Sequence, residues 1–199
     1  ERIEGKYRSE SGTNVAVLDL PGTYSLSATS PDEEIALSVL IGLAPGVPAP
    51  DVVVLVLDAS NLERNLFLAS QVLELGLPVV IALNQVDTAA ASGIRVDAVE
   101  LAMQLGAQVV ETVAIRGQGI DVLRRAIERA GDLPLPTRQF RLPEQLFRAV
   151  QPVEASLVRA GFHPSTAAME ALRLLAVDPG GHLNGVEGLQ VEVERARTT

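Results

Sequence analysis

The sequence predicts an α/β fold over residues 1–131, built on a doubly wound and mostly parallel sheet. Two observations carry this prediction. Short apolar runs of strand length alternate along the chain with longer segments that carry helix-capping signals. Two of the runs, Asp51–Asp58 and Leu77–Leu83, are almost continuously apolar, as is typical of parallel strands buried on both faces. Right-handed crossovers would bring the carboxyl ends of the strands to one edge of the sheet, where ligands of such folds bind.

The first predicted strand and the first predicted helix stand on either side of a loop. Asn14–Leu20 is apolar enough to form the strand. The helix is predicted from Pro31 to about Ile41, because Ser30 is a suitable N-cap, Pro31 suits the first helical position and Glu33 completes a capping box.

The later elements of the domain alternate in the same way. After Asp51–Asp58, a helix is predicted to begin at a second capping box, formed by Ser60 and Glu63, and to end at Gly76. The remaining elements are a strand over Leu77–Leu83, a helix over Asp97–Leu105 that stops at Gly106, a strand over Gln108–Thr112 and a helix over Ile120–Ala130.

A change of composition at Asp132–Thr137 predicts an extended linker, since this segment contains Leu-Pro-Leu-Pro. Residues 138–199 predict a partial α-helical domain, with helices over Pro143–Ala160 and Ser165–Ala176 and a last strand signal at Leu189–Val193. Two helices bury too little apolar surface to make a core alone, so this domain is expected to be incomplete.

Composition excludes several classes of function. The 199 residues carry a net charge of -9 and only 3% aromatic side chains, so nucleic acid binding is not expected. Cysteine is absent, which rules out a disulfide framework, a cysteine-ligated zinc site and a cysteine nucleophile. The longest apolar runs are far shorter than the roughly 20 residues that span a bilayer, so the chain itself is not expected to cross a membrane.

The first candidate motif is Asp19-Leu20-Pro21-Gly22, directly after a predicted strand. It fits the D-x-x-G pattern of GTPases, in which the carboxylate holds Mg²⁺ through water and the glycine N–H approaches the γ-phosphate. Taken alone, the same residues fit a simple turn at the end of a strand equally well.

The second candidate motif is Asn84-Gln85-Val86-Asp87, which fits N-x-x-D. A carboxylate at Asp87 can accept hydrogen bonds from N1–H and from the exocyclic amine of guanine, and adenine cannot supply both donors. Asn84 is expected to hold the loop and to reach the edge of the base. Gln85 stands where lysine is usual, so its alkyl stem could cover the base without a charge.

The third candidate segment follows Gln108–Thr112. In GTPases a serine and an alanine stand here, and the alanine N–H meets O6 of guanine. Val113 occupies the serine position and Ala114 the alanine position. The three segments come in the expected order, each after its own predicted strand, and together they indicate a P-loop-NTPase-like domain that binds GTP and GDP.

Longer strings resemble one family specifically. Asp19–Glu34, which begins DLPGTYSLS, resembles the switch II region of ferrous iron transport protein B, and Asp58–Leu66 resembles the segment after its next strand. The opening Glu1–Tyr7 resembles the stretch just after switch I of the same family.

This resemblance implies GTP binding and slow hydrolysis that regulate ferrous iron uptake through a separate membrane transport domain of the same parent protein. The chain would then be a cytoplasmic domain of an inner or plasma membrane protein. Asp19 would serve Mg²⁺ through water, Gly22 the γ-phosphate, and Asn84 with Asp87 the guanine. Pro21, Thr23 and Tyr24 would belong to the moving switch, and Thr23 and Tyr24 are the catalytic candidates.

The sequence departs from the family pattern at the phosphate site. It has no G-x-x-x-x-G-K-[ST] segment, and its single lysine, Lys6, lacks the glycines of such a loop. The resemblance places the phosphate loop and the switch I threonine before position 1. The G domain is therefore interpreted as incomplete at its N-terminus, and weak or no nucleotide binding is expected of this chain alone. The alternatives are a nucleotide-free interaction module on the same scaffold and a GTPase of ribosome assembly, against which the acidic charge and the DLPGTYSLS string argue.

Overall fold

The computed structural model describes residues 3–26, 30–131 and 144–162, and nine separate residues after them: 167, 168, 170, 171, 174, 175, 191, 193 and 195. The chain divides into two compact units, Glu1–Thr137 and Arg138–Thr199. The predicted linker Asp132–Thr137 lies outside the described residues.

A hairpin opens the first unit. Its strands, β1 (Ile3–Arg8) and β2 (Asn14–Asp19), are antiparallel, with Ile3 opposite Asp19. The predicted strand is thus confirmed as β2, but its partner β1 was not predicted. Charged residues stand at every second position, at Glu4, Lys6 and Arg8, and this strand-like period could have identified β1.

The parallel sheet is confirmed for three of the four predicted strands, whereas β2 pairs with β1 in a separate two-stranded sheet. β3 (Val53–Asp58), β4 (Val79–Asn84) and β5 (Gln108–Glu111) lie in the order β3-β4-β5, all parallel. β4 is the central strand, and every residue of it except Asn84 is buried. Asp58 lies opposite Asn84 in the register, so the polar ends of two strands share one edge of the sheet.

Helix α1 (Pro31–Leu40) begins at the predicted capping box. Glu33 N donates to Ser30 Oγ over 3.3 Å, and Ser30 N donates to Glu33 Oε2 over 3.2 Å. The second predicted capping box, at Ser60, is wrong. Residues Ala59–Asn61 form a 3-10 turn, and both the backbone N–H and the hydroxyl of Ser60 donate to Asp58 Oδ1, over 2.8 and 2.7 Å. The Ser60 hydroxyl therefore serves the end of β3, and α2 (Leu62–Glu74) starts without a side-chain cap.

Three further helices complete the first unit. The short helix α3 (Val86–Ala91) was not predicted, since its run of alanines has no apolar stripe. In α4 (Ala98–Leu105), the predicted cap Asp97 accepts from Val99 N and Glu100 N. Helix α5 (Ile120–Ala130) has the predicted bounds. It packs on the sheet in a buried cluster made by Val80, Val110, Ala126 and Ala130.

Contacts with charged side chains anchor the hairpin to α5. Arg125 Nη1 lies 3.7 Å from Glu10 Oε1, Glu10 N donates to Glu128 Oε1 over 3.3 Å, and Arg124 Cζ lies 5.5 Å from the centroid of the Tyr7 ring. Burial raises the pKa of the Tyr7 hydroxyl; the Glu128 carboxylate adds to this, whereas Arg124 opposes it.

The second unit contains helix α6 (Glu144–Arg159), close to the predicted bounds, with Val150, Val153 and Leu157 buried. The described residues between 167 and 175 are helical, within the predicted Ser165–Ala176. The strand signal at Leu189–Val193 is wrong, because Val191 and Val193 are helical. Val193 is buried and Val191 exposed, which a strand with both side chains on one face would not give. None of the helices in the described parts of the chain has the length and apolar character needed to cross a bilayer.

Candidate functional site

Asn84, at the end of β4, joins the two loops that follow β4 and β5. Its Oδ1 accepts a hydrogen bond from Ala114 N over 3.0 Å and one from Thr112 Oγ1 over 3.2 Å. Because both partners are donors, the orientation of the amide is fixed and Nδ2 faces away from them. Asn84 Oδ1 therefore ties the two loops together, and its Nδ2 could donate to a ligand.

The loop after β4 carries an uncommon backbone conformation. Gln85 has φ 61° and ψ 31° and is the one non-glycine residue with positive φ among the described residues. Such conformations cluster at functional sites, since the surrounding structure must maintain them. The Gln85 side chain is exposed, as expected for a residue that covers a ligand.

Asp87 lies in the first turn of α3 and is engaged on both carboxylate oxygens. Oδ1 accepts from Thr88 N over 2.9 Å, and Oδ2 lies 3.4 Å from Arg116 Nη2. The sequence predicts no role for Arg116, since it lies 29 positions after Asp87 and nothing local links the two residues.

The loop after β5 supports the site mainly through its backbone. Val113 is 3% exposed, and it pairs with Gln118 through hydrogen bonds of 3.1 and 3.2 Å. It therefore packs inward and presents no side chain to a ligand. The Ala114 N–H, expected to meet guanine O6, donates to Asn84 instead, and it would have to exchange that partner to reach a base. Ala114–Arg116 form a 3-10 turn beyond it.

The segment after β2 is attached to two helices. Ser25 Oγ donates to Glu33 Oε1 on α1, and Leu26 N donates to Gln71 Oε1 on α2 over 2.8 Å. Arg64 Cζ, in the first turn of α2, lies 3.7 Å from the centroid of the Tyr24 ring. Because α2 starts just beyond the carboxyl end of β3, this contact brings Tyr24 to the edge of the sheet at which Asn84 lies.

The two catalytic candidates differ in their surroundings. Thr23 Oγ1 donates to Ser25 O and accepts from Ser25 N over 3.1 Å, so its hydroxyl is engaged within its own turn. Tyr24 is 59% exposed beneath Arg64.

Asp19 and Gly22 are both exposed, and no structural constraint explains the glycine. A Cβ at position 22 would meet nothing within 4 Å, and the backbone is not in the left-handed region. Glycine at this position leaves the backbone N–H open to close approach by a ligand. Pro21 is half-buried beside it.

These residues carry groups that a guanine nucleotide could use, although Asp19 and Gly22 follow the hairpin and Asn84 and Asp87 follow the separate parallel sheet. The Asp87 carboxylate could accept from N1–H and the exocyclic amine of guanine, and the Asn84 amide could donate to the base. The exposed Gly22 N–H could donate to a phosphate oxygen. In the described part of the chain, no group of three or more His, Cys, Asp or Glu could hold a metal ion. A single carboxylate at Asp19 nonetheless suits Mg²⁺, because that ion takes most of its ligands from water and phosphate.

We expect Asn84→Ala to lower the free energy of unfolding by about 1–3 kcal/mol, because it removes the acceptor of the Ala114 N–H and the nearer acceptor of the buried Thr112 hydroxyl. Asn84→Asp keeps an acceptor oxygen and is expected to cost less. Urea unfolding followed by circular dichroism measures both. Equal losses in the two variants would contradict the role of Oδ1.

Comparisons with known proteins point to one family. A family model described as ferrous iron transport protein B matches residues 1–127. The Fe(2+) transporter FeoB of Escherichia coli (strain K12) is 46% identical over 134 residues, which are 65% of this chain and 16% of that protein. The chain therefore spans only a small part of the length of the curated relatives that it matches.

Two solved structures extend the similarity. The FeoB G-domain from Methanococcus jannaschii has 40% sequence identity and a TM-score of 0.60, over 65% of this chain and 80% of that one. The cytosolic domain of the T. maritima FeoB iron transporter in its GMPPNP form has 27% identity and a TM-score of 0.67, over 98% of this chain and 80% of that one. The T. maritima domain was also solved in GDP forms.

Proposed function

The chain belongs to the ferrous iron transport protein B family, and on this basis we propose that residues 1–131 are a guanine-nucleotide-binding domain that regulates iron(II) transport. The regulated transport domain is a membrane domain of the same parent protein, and this chain lies on its cytoplasmic side. Membership of a transport family argues against the alternative, a GTPase of ribosome assembly.

The observation that carries the proposal is the joining of the two base-recognition loops. Asn84 Oδ1 holds Thr112 and Ala114, and the same loop presents Asp87 one helical turn later. Asp87 would accept from guanine N1–H and the exocyclic amine, and Asn84 Nδ2 would donate to the base edge. Gln85 covers the base from its left-handed position.

The phosphate and metal side is proposed to use Asp19 and Gly22. Asp19 would hold Mg²⁺ through water, and the Gly22 N–H would donate to the γ-phosphate. Since the sequence has no phosphate-loop motif, we propose that polypeptide preceding Glu1 in the intact gene product supplies the remaining phosphate ligands. This chain alone would then bind nucleotide weakly and hydrolyse none.

Thr23 and Tyr24 belong to the proposed switch. A γ-phosphate contact at Gly22 would order the segment, and hydrolysis would release it. The attachments to Glu33, Gln71 and Arg64 would transmit this change to α1 and α2.

The test is the binding of a fluorescent GDP analogue with Mg²⁺, measured on this chain and on the same chain extended upstream by about 40–50 residues, roughly a strand, a loop and a helix. Tight binding only in the longer protein, competed by GDP and GTP but not by ATP, is the expected result. Absence of binding in both would overturn the proposal and leave an interaction module on a G-domain scaffold.

A further inference from the structure

Arg116 lies against one of the two Asp87 oxygens that a guanine base would need. The guanidinium Nη2 lies 3.4 Å from Asp87 Oδ2, while Oδ1 is already the acceptor of the Thr88 N–H. A guanidinium offers N–H donors to a carboxylate in a planar arrangement, as do N1–H and the exocyclic amine of guanine. The side chain and the base therefore compete for one acceptor.

The backbone brings Arg116 close to Asp87, so their ion pair does not depend only on the length of the arginine side chain. Arg116 ends the 3-10 turn that starts at Ala114, whose N–H is bonded to Asn84. Arg116 N donates to Val113 O over 2.9 Å, and Val113 pairs with Gln118. Asp87 follows Asn84 by three residues, so the Asn84 side chain ties the segment that carries Arg116 to the segment that carries Asp87.

The ion pair is weak enough to be displaced. The Arg116 side chain is 69% exposed and that of Asp87 32% exposed, and exposed pairs of this kind shift an equilibrium by about fivefold at most. Salt screens them further.

The geometry points to Arg116 as an intramolecular competitor of the guanine base at the Asp87 carboxylate. This inference rests on the proposed guanine-binding role of Asp87. In a rapid pre-equilibrium, only the fraction of molecules with the ion pair open accepts the base. Arg116 thus lowers the association rate of guanine nucleotides and leaves their dissociation rate unchanged.

The experiment is stopped-flow association and dissociation of a fluorescent GDP analogue with the complete gene product in detergent. We expect Arg116→Gln to raise the association rate about two- to fivefold at low salt, with an unchanged dissociation rate. The difference is expected to shrink as the salt concentration rises. Arg129→Gln, on the exposed face of α5, removes the same charge elsewhere and is the matched control.

Each other outcome identifies what failed. If the parent protein binds the analogue and Arg116→Gln associates at the same rate, the competition is absent and the inference falls. If Arg116→Gln dissociates faster, Arg116 contacts the bound base and the inference is again overturned. If the parent protein does not bind the analogue at all, the proposed function fails, and the inference fails with it.

Discussion

Asp87→Asn is expected to turn a guanine site into a xanthine site. The amide replaces one acceptor oxygen by a donor, which faces the exocyclic amine of guanine and leaves both groups unpaired. Xanthine carries a carbonyl at that position and keeps N1–H, so it matches the amide with one acceptor and one donor. A site that loses such a pair rejects the mismatched base strongly, and we expect GDP affinity to fall at least about 100-fold.

The measurement is calorimetric titration of the intact gene product with GDP and with xanthosine diphosphate. Asp97→Asn provides the control, because it removes the same charge at the cap of α4, where asparagine also caps well. Loss of GDP binding without a gain of xanthine nucleotide would mean that Asp87 organises the loop and does not read the base. Unchanged GDP affinity would remove Asp87 from the site altogether.

The second large effect concerns the two glycines that close the loop after β5. Gly117 and Gly119 both have positive φ, of 69° and 80°. A Cβ at Gly117 would meet nothing within 4 Å, whereas a Cβ at Gly119 would collide with Glu111 O and lie 3.2 Å from Thr112 Cα. The two positions therefore separate the cost of the left-handed conformation from the cost of a backbone collision.

We expect Gly117→Ala to cost about 1–2 kcal/mol of unfolding free energy, which is the usual penalty of a left-handed alanine. Gly119→Ala is expected to cost about 3 kcal/mol or more, since neither backbone segment can move away without breaking the end of β5. Urea unfolding followed by circular dichroism measures both. Equal costs for the two variants would show that the collision is relieved.

The sequence predicts the elements that local signals define. β3 and β4 are continuous apolar runs, and α1 and α4 have caps whose hydrogen bonds involve residues no more than three positions apart. The D-x-x-G and N-x-x-D segments were singled out because each stands at the end of a predicted strand, and their roles in binding stay predictions. β1 was harder, since its pairing depends on a partner strand and its charged residues lower its apolar character.

The contacts that build the site could not be predicted in this way. Asn84 with Ala114 and Asp87 with Arg116 join residues about 30 positions apart, and only the register of β4 and β5 brings them together. The left-handed Gln85 is likewise a product of its surroundings, since glutamine has no preference for that conformation. At Ser60 the local sequence fits a capping box, but the hydroxyl donates instead to the Asp58 carboxylate, two residues earlier.

The way the hairpin is anchored to α5 gives the domain two parts, the hairpin and the parallel sheet, that differ in local stability. Among the described residues, no hydrophobic side chain before Leu26 is part of the buried core, whereas Leu57, Val80, Ile81 and Leu83 are fully buried. Exposed ionic contacts are weak, so the hairpin can open locally while the parallel sheet stays folded. Asp19 belongs to the hairpin, which opens more easily. Asn84 and Asp87 lie at the end of the parallel sheet, which does not. The frame that carries the proposed base-binding residues is therefore the more stable part, and the part more free to move is the one that carries the proposed phosphate and metal ligands.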